Sequence, residues 1–168
     1  FKGNQDGIFG FGTTGSVTAV SNLVSNAGVV ATDVTGVGTA RSGSAATQYG
    51  GDKGIFGFGD DGGNNNNTNL VSNTGVVASD QAATTGTARY ALSACSYGED
   101  KGIFGFGSGY TGVTNLISNA GVVEADTAAV GTARAYAAAC EYGDDTAIFG
   151  FGTTGSYVGM SNLVSNAG

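Results

Sequence analysis

The stretch Asp100-Lys101-Gly102-Ile103-Phe104-Gly105-Phe106-Gly107 recurs through this chain in near-identical form. Its core, Ile-Phe-Gly-Phe-Gly, begins at Ile8, Ile55, Ile103 and Ile148, at steps of 47, 48 and 45 residues. Working outward, Asn-Leu-(Val/Ile)-Ser-Asn begins at Asn22, Asn69, Asn115 and Asn162. Gly-Thr-Ala-Arg ends at Arg41, Arg89 and Arg134, and Tyr-Gly falls at Tyr49, Tyr97 and Tyr142. The order of these blocks never changes. Self-similarity at a fixed period of this length is the mark of an array in which one supersecondary unit is stacked on the next.

Each unit divides into four β-prone pieces. In the unit from Thr87 to Val123 these are Thr87 to Tyr97, Gly102 to Gly107, Val113 to Ser118 and Val122 to about Glu124. Gly98-Glu99-Asp100 and Ser108 to Gly112 separate the first three. Asn119-Ala120-Gly121 makes a tight turn before the fourth, with glycine where a positive φ is needed, and the sister unit has Asn73-Thr74-Gly75 there. No segment sustains a 3.6-residue apolar period, and glycines interrupt every window. The Ala-rich stretch Ala133 to Cys140 is helix-prone by composition, but its counterparts Arg41 to Tyr49 and Arg89 to Tyr97 carry Gly and Ser, so strand is expected in all three.

Four strands in a unit of about 47 residues are what a β-propeller blade requires. The fold expected is therefore all-β, a propeller of four-stranded blades, with a β-solenoid as the alternative. The glycines flanking Phe104 and Phe106 would let neighbouring blades approach while the rings pack between them. Residues 1–168 read as one repeat domain of roughly three and a half blades, near 8–54, 55–102, 103–147 and a partial 148–168. That count suits either part of a longer chain or half of a dimeric ring, and an open end would expose a strand edge that invites pairing.

Arg89, the strand after it, Asp100 to Gly107 and Asn115-Leu116-Ile117-Ser118-Asn119 together resemble a kelch-type blade, in which an Arg-led strand precedes an apolar strand ending in glycines and then a hairpin. Gly-Phe-Gly stands where kelch repeats have paired glycines, and no Trp is present. The string Thr68-Asn69-Leu70-Val71-Ser72-Asn73-Thr74-Gly75-Val76-Val77 is similar to strings in kelch-like repeat proteins encoded by bacteriophages, aquatic ones especially. That resemblance implies a virion or tail-appendage setting, extracellular, without implying a chemistry.

Composition narrows the function classes. The chain has 168 residues, 32 of them Gly, no Pro, no His and no Trp, and a net charge of −7. Gly at this density without a Gly-X-Y period is not collagen, and 40% hydrophobic residues are too many for a disordered linker. An acidic surface repels phosphate backbones, which disfavours nucleic acid. No apolar run approaches the roughly 20 residues of a membrane helix, and no signal-peptide pattern is visible. Cys95 and Cys140 are repeat-equivalent, one unit apart, and read as small buried residues in the slot filled by Thr47; a disulfide between them is the other reading.

Catalysis is not expected. There is no His for proton transfer or metal ligation, and the cysteines have no base. The acids recur with the repeat, as Asp33, Asp80 and Asp126 and as Asp52, Asp100 and Asp145, which suits structural work. Arg41, Arg89 and Arg134 each follow an acid of the first series by eight or nine residues, so the expected pairs are Asp33–Arg41, Asp80–Arg89 and Asp126–Arg134, bidentate and partly buried. No cofactor is implied, and Gly105-Phe106-Gly107 lacks the helix and Lys of a phosphate loop. Recognition on a repeat scaffold usually sits in its variable loops. Here these are Asp60 to Asn67 (Asp60, Asp61, Asn64 and Asn65), Ser108 to Thr111 (Tyr110 and Thr111) and Thr153 to Tyr157. The first lacks the spacing and final Glu of an EF-hand, and a solvated loop, a calcium contact and a glycan contact stay open for it.

The functional expectation is a non-catalytic structural or adhesive propeller serving assembly or host-surface recognition. Its partners would be other virion or extracellular-assembly proteins, with self-association to close the ring. The alternatives are a sugar-binding lectin, with Tyr90, Tyr110 and Tyr136 to stack on sugar rings, and a kelch-type protein-interaction scaffold.

Overall fold

The computed structural model describes residues 6–82 and 86–168. They form an all-β chain of four small antiparallel sheets, with no helix among the described residues. The first sheet holds β1 (Gly7–Thr13) and β2 (Val17–Val24). The second is a meander of β3 (Ala45–Tyr49), β4 (Lys53–Asp60) and β5 (Asn64–Val71). The third repeats it with β6 (Ser93–Tyr97), β7 (Lys101–Gly105) and β8 (Thr114–Ile117), and the fourth with β9 (Ala138–Tyr142), β10 (Thr146–Gly150) and β11 (Ser161–Val164). The Ala-rich stretch is strand only from Ala138 onward.

The second, third and fourth sheets have three strands each, and the first has two among the described residues, where four were expected. The fourth segment opens with one bridge, Val30 to Val24, Val77 to Val71 and Val123 to Ile117 in turn. The Asn-x-Gly turn holds that bridge: the Ser118 hydroxyl accepts from Val122 N–H at 3.2 Å, and Gly121 has φ of 79°. Beyond it the chain stays beside the third strand through scattered bonds, with Gln81 N–H on Thr68 O at 2.8 Å and further bridges of Val34 to Ser21 and Thr127 to Thr114, but forms no continuous ladder.

Register explains the core. Ala94, Phe104 and Asn115 form one cross-strand row, and Cys95, Ile103 and Leu116 form the next. Sheet side chains alternate between faces, so each sheet has a ring face carrying Phe104 and a socket face carrying Ile103, Gly105 and Leu116. The ring face of the second, third and fourth sheets packs on the socket face of the sheet before it. A Cβ built on Gly10, Gly57 or Gly105 would lie 2.9, 2.5 or 2.9 Å from the ring of Phe56, Phe104 or Phe149, so only glycine admits the ring. The second Phe of the pentapeptide lies just past this glycine. A bulge there in the first two sheets, and the same φ of 60–62° at Phe11, Phe58, Phe106 and Phe151 in all four, carries it out of simple alternation. Three edge-to-face pairs result, Phe11–Phe56, Phe58–Phe104 and Phe106–Phe149, with centroids 5.1–5.3 Å apart.

Backbone hydrogen bonds join neighbouring sheets as well. Gly12, Gly59 and Gly107 donate to the carbonyls of Arg41, Arg89 and Arg134 at 2.8–3.0 Å, and Gly50 and Gly98 donate to those of Asp100 and Asp145. The first strands β3, β6 and β9 run close beside one another, whereas the third strands β5, β8 and β11 make no comparable approach. A polar ladder crosses the first strands: Gln48 Nε2 donates to Ser96 Oγ at 3.2 Å, and Ser96 Oγ donates to Glu141.

The two cysteines differ in setting. Both are free thiols; Cys95 is buried under the fourth sheet, and burial pushes its thiol up to about 12. Cys140 is exposed, not buried as expected, because the socket face of the fourth sheet has no sheet above it.

Candidate functional site

The buried charge of the chain is concentrated in one repeated arrangement. Arg89 is fully enclosed between sheets. Its Nε donates to Phe106 O at 2.7 Å, Nη1 to Thr87 O at 2.9 Å and Nη2 to Asn115 Oδ1 at 2.7 Å. The guanidinium lies over the Phe58 ring of the preceding sheet, 4.5 Å from its centroid. Asn115 donates to Glu124 O and to Asp126 Oδ1, and Asp126 accepts from the Thr87 N–H and hydroxyl. Arg41 repeats this with Phe58 O, Thr39 O and Asn69, over the Phe11 ring at 3.9 Å, with Asp80 closing the circuit. One Arg thus ties the entry to the first strand, the bulge after the second and the middle of the third.

The Asp–Arg pairs are shifted by one repeat from the expected set. Arg41 faces Asp80, at 3.9 Å, and Arg89 feels the charge of Asp126. Asp33 instead accepts from Asn22 at 2.7 Å. The Asp before each Arg in sequence belongs to the previous sheet, and the Asp that reaches it arrives only after the three-strand meander returns. The pairing is not bidentate either, because Asn69 or Asn115 stands between the two charges. Arg134 bonds Thr132 O, Phe149 O and Asn162, but its buried Nε has no partner and no carboxylate faces it among the described residues.

Burial lowers the pKa of all three arginines. For Arg89 the value falls to about 10 even though Asp126 opposes the shift, so the group stays charged at neutral pH. For Asp80 and Asp126 burial acts upward, but the bonds from Thr39 and Asn69, or Thr87 and Asn115, and the facing Arg outweigh it and hold both carboxyls below their ordinary 3.8. Groups with depressed native pKa give stability that is complete above the unfolded value and lost as pH falls through the native one. Urea midpoints should hold from pH 7 to about 5 and drop below about pH 4. Asp80→Asn should be less stable at pH 7 and lose less on acidification.

The loop residues lie at the second hairpin of successive sheets. Asp60, Asp61, Asn64 and Asn65 cluster at the β4–β5 tip, where Asp60 Oδ1 accepts from Gly62 N–H at 2.9 Å and Asp61 accepts from Asn65 Nδ2 at 2.9 Å. Asp60 to Asn67, expected from its composition to be a loop, is mostly strand, with Asp60 ending β4. Asn64 to Asn67 belong to β5, and the turn is confined to 61–63. Asn66 and Asn67 spend their amides on Gly86 O and Asp80. Tyr110, half-exposed with φ of 50°, and Thr111 lie at the next hairpin, apart from this cluster in sequence and sheet. Thr153 and Tyr157 bridge each other at the last hairpin, and with Tyr136 and Phe151 they line an open groove of about 690 Å³. Sequence reading named Thr153 and Tyr157 there but missed Phe151, whose three counterparts sit under an arginine.

Among the described residues no group of three or more His, Cys, Asp or Glu is placed to hold a metal ion, and no helix is long and apolar enough to cross a membrane. No protein-family model matches the chain, and no curated protein matches it.

Proposed function

We propose that this chain is a non-catalytic structural or adhesive β-propeller segment, kelch-like in plan, serving an extracellular assembly such as a virion appendage. The observation that carries the reading is the fate of the buried arginines. Arg41 and Arg89 spend every guanidinium nitrogen on carbonyls and an Asn of the framework, over a Phe ring. Arg134 bonds the same kinds of group with only its Nε left over, and the arrangement suits a strut better than a ligand-binding group. The wedge made by close first strands and separated third strands suits blades fanned about an axis. The kelch-like resemblance supplies the setting. Mass spectrometry of purified virus particles whose genome encodes the chain should find its peptides at structural-protein abundance; their absence would overturn the reading.

A second reading is favoured by the Tyr136–Phe151–Tyr157 groove, which has the aromatic lining that sugar rings stack on. A glycan array with the wild-type chain and Tyr157→Ala separates the two readings. Binding lost in the variant supports a lectin, and no binding at high protein concentration removes it.

A further inference from the structure

Three junctions between successive sheets are built the same way, and the two outer faces of the chain carry the two halves of a fourth. On the socket side the fourth sheet presents Gly150, Phe151, Leu163 and Tyr142. Phe151 is 66% exposed and Tyr142 44%, while their counterparts Phe58, Phe106, Tyr49 and Tyr97 are at most 4% exposed. A Cβ on Gly150 would meet nothing within 4 Å, whereas one on Gly57 would meet a ring at 2.5 Å. On the ring side the first sheet presents Phe9, 66% exposed against at most 4% for Phe56, Phe104 and Phe149. Its turn glycine Gly28 is open, while its counterpart Gly75 packs on Leu23 and Gly121 packs on Leu70 and Tyr49.

We propose that these faces are one heterologous interface. The ring face of a second copy of this chain seats Phe9 over Gly150, edge-on to Phe151, and brings Gly28 against Leu163 and Tyr142. The occupant is a second copy because the internal junctions show what such a socket accepts: a ring from the next sheet and an Asn-x-Gly turn beside it. The match holds at three separate points, two of them through glycines that leave space only a repeat-shaped partner fills. A head-to-tail contact closes into a ring if the rotation allows and otherwise extends into a filament. The interface does not depend on the virion assignment, and the test below involves neither particles nor glycans.

Analytical ultracentrifugation of the wild-type chain should show concentration-dependent association. Phe9→Asp and Phe151→Asp should each weaken it at least about thirtyfold, as loss of an interface anchor does. Both sites are exposed, and Asp tolerates the positive φ at position 151, so monomer melting should be unchanged. Gly150→Val should block association while leaving the monomer intact. The decisive sample is an equimolar mixture of Phe9→Asp and Phe151→Asp, in which one intact ring face meets one intact socket and association returns. A wild-type chain that stays monomeric at its highest soluble concentration overturns the proposal and gives the faces another occupant. Association that survives Phe9→Asp, or a mixture that fails to recover, overturns it as well.

Discussion

Arg89→Ala is expected to lower the unfolding free energy by about 3–5 kcal/mol, the cost of breaking a buried charged network from one side. Three acceptors lose their donor at once: Phe106 O, Thr87 O and Asn115 Oδ1. Each buried polar group left unsatisfied costs about 1–3 kcal/mol. The ring of Phe58 also loses the guanidinium stacked on it, and the vacated volume lies between two sheets. Because single domains are stable by only about 5–15 kcal/mol, the loss should be plain in urea denaturation at pH 7. Arg89→Lys should recover little of it, since one ammonium cannot reproduce the fork that reaches a carbonyl on either side and the Asn in front. Arg134→Ala should cost less than Arg89→Ala, because its Nε is already unpaired and no carboxylate opposes it among the described residues.

Gly57→Ala is expected to destabilise by about 1–3 kcal/mol or more through overpacking. Gly57 does not have a positive φ, so the penalty is one of space. The added Cβ would lie 2.5 Å from Phe104 Cζ and about 3 Å from both Cε atoms. Phe104 cannot swing aside, being fully buried and held edge-on by Phe58. Gly150→Ala, the same change in the fourth sheet, should be neutral or slightly stabilising, because glycine is a poor strand residue where nothing needs its absent side chain. Thermal melting of the two variants side by side measures the contrast.

The parts of this fold that were legible in the sequence are those written in local chemistry. Ile-Phe-Gly-Phe-Gly marks the central strands, and Asn119-Ala120-Gly121 marks a turn that needs a left-handed glycine. What stayed hidden depends on the path of the chain between sheets. Asp33 is close to Arg41 in sequence, yet the circuit of Arg41 closes on Asp80, since only the return of β5 and the segment after it brings a carboxylate back to that guanidinium. The Asn run at 64–67 has the composition of a loop, but the ladder to β4 and the acceptors Gly86 O and Asp80 make it strand. The valines after each Asn-x-Gly turn are good strand formers, yet the segment they open meets the third strand only in isolated bridges and single bonds and not in a ladder. Cys140 carries the same local signal as Cys95 and differs only in having no sheet above it. In the groove that Tyr136, Thr153 and Tyr157 also line, Phe151 was missed, and for the same reason: nothing in a repeat distinguishes its uncovered copy from its covered ones.

The central claim is that the second, third and fourth sheets each seat a ring on the glycine of the sheet before it. A double-mutant cycle between Gly57→Ala and Phe104→Leu tests that contact directly, since leucine lacks the Cε and Cζ atoms that the new methyl would strike. The account predicts strong coupling, with the cost of Gly57→Ala falling by at least about half in the Phe104→Leu background. Additive effects of the two changes would contradict it.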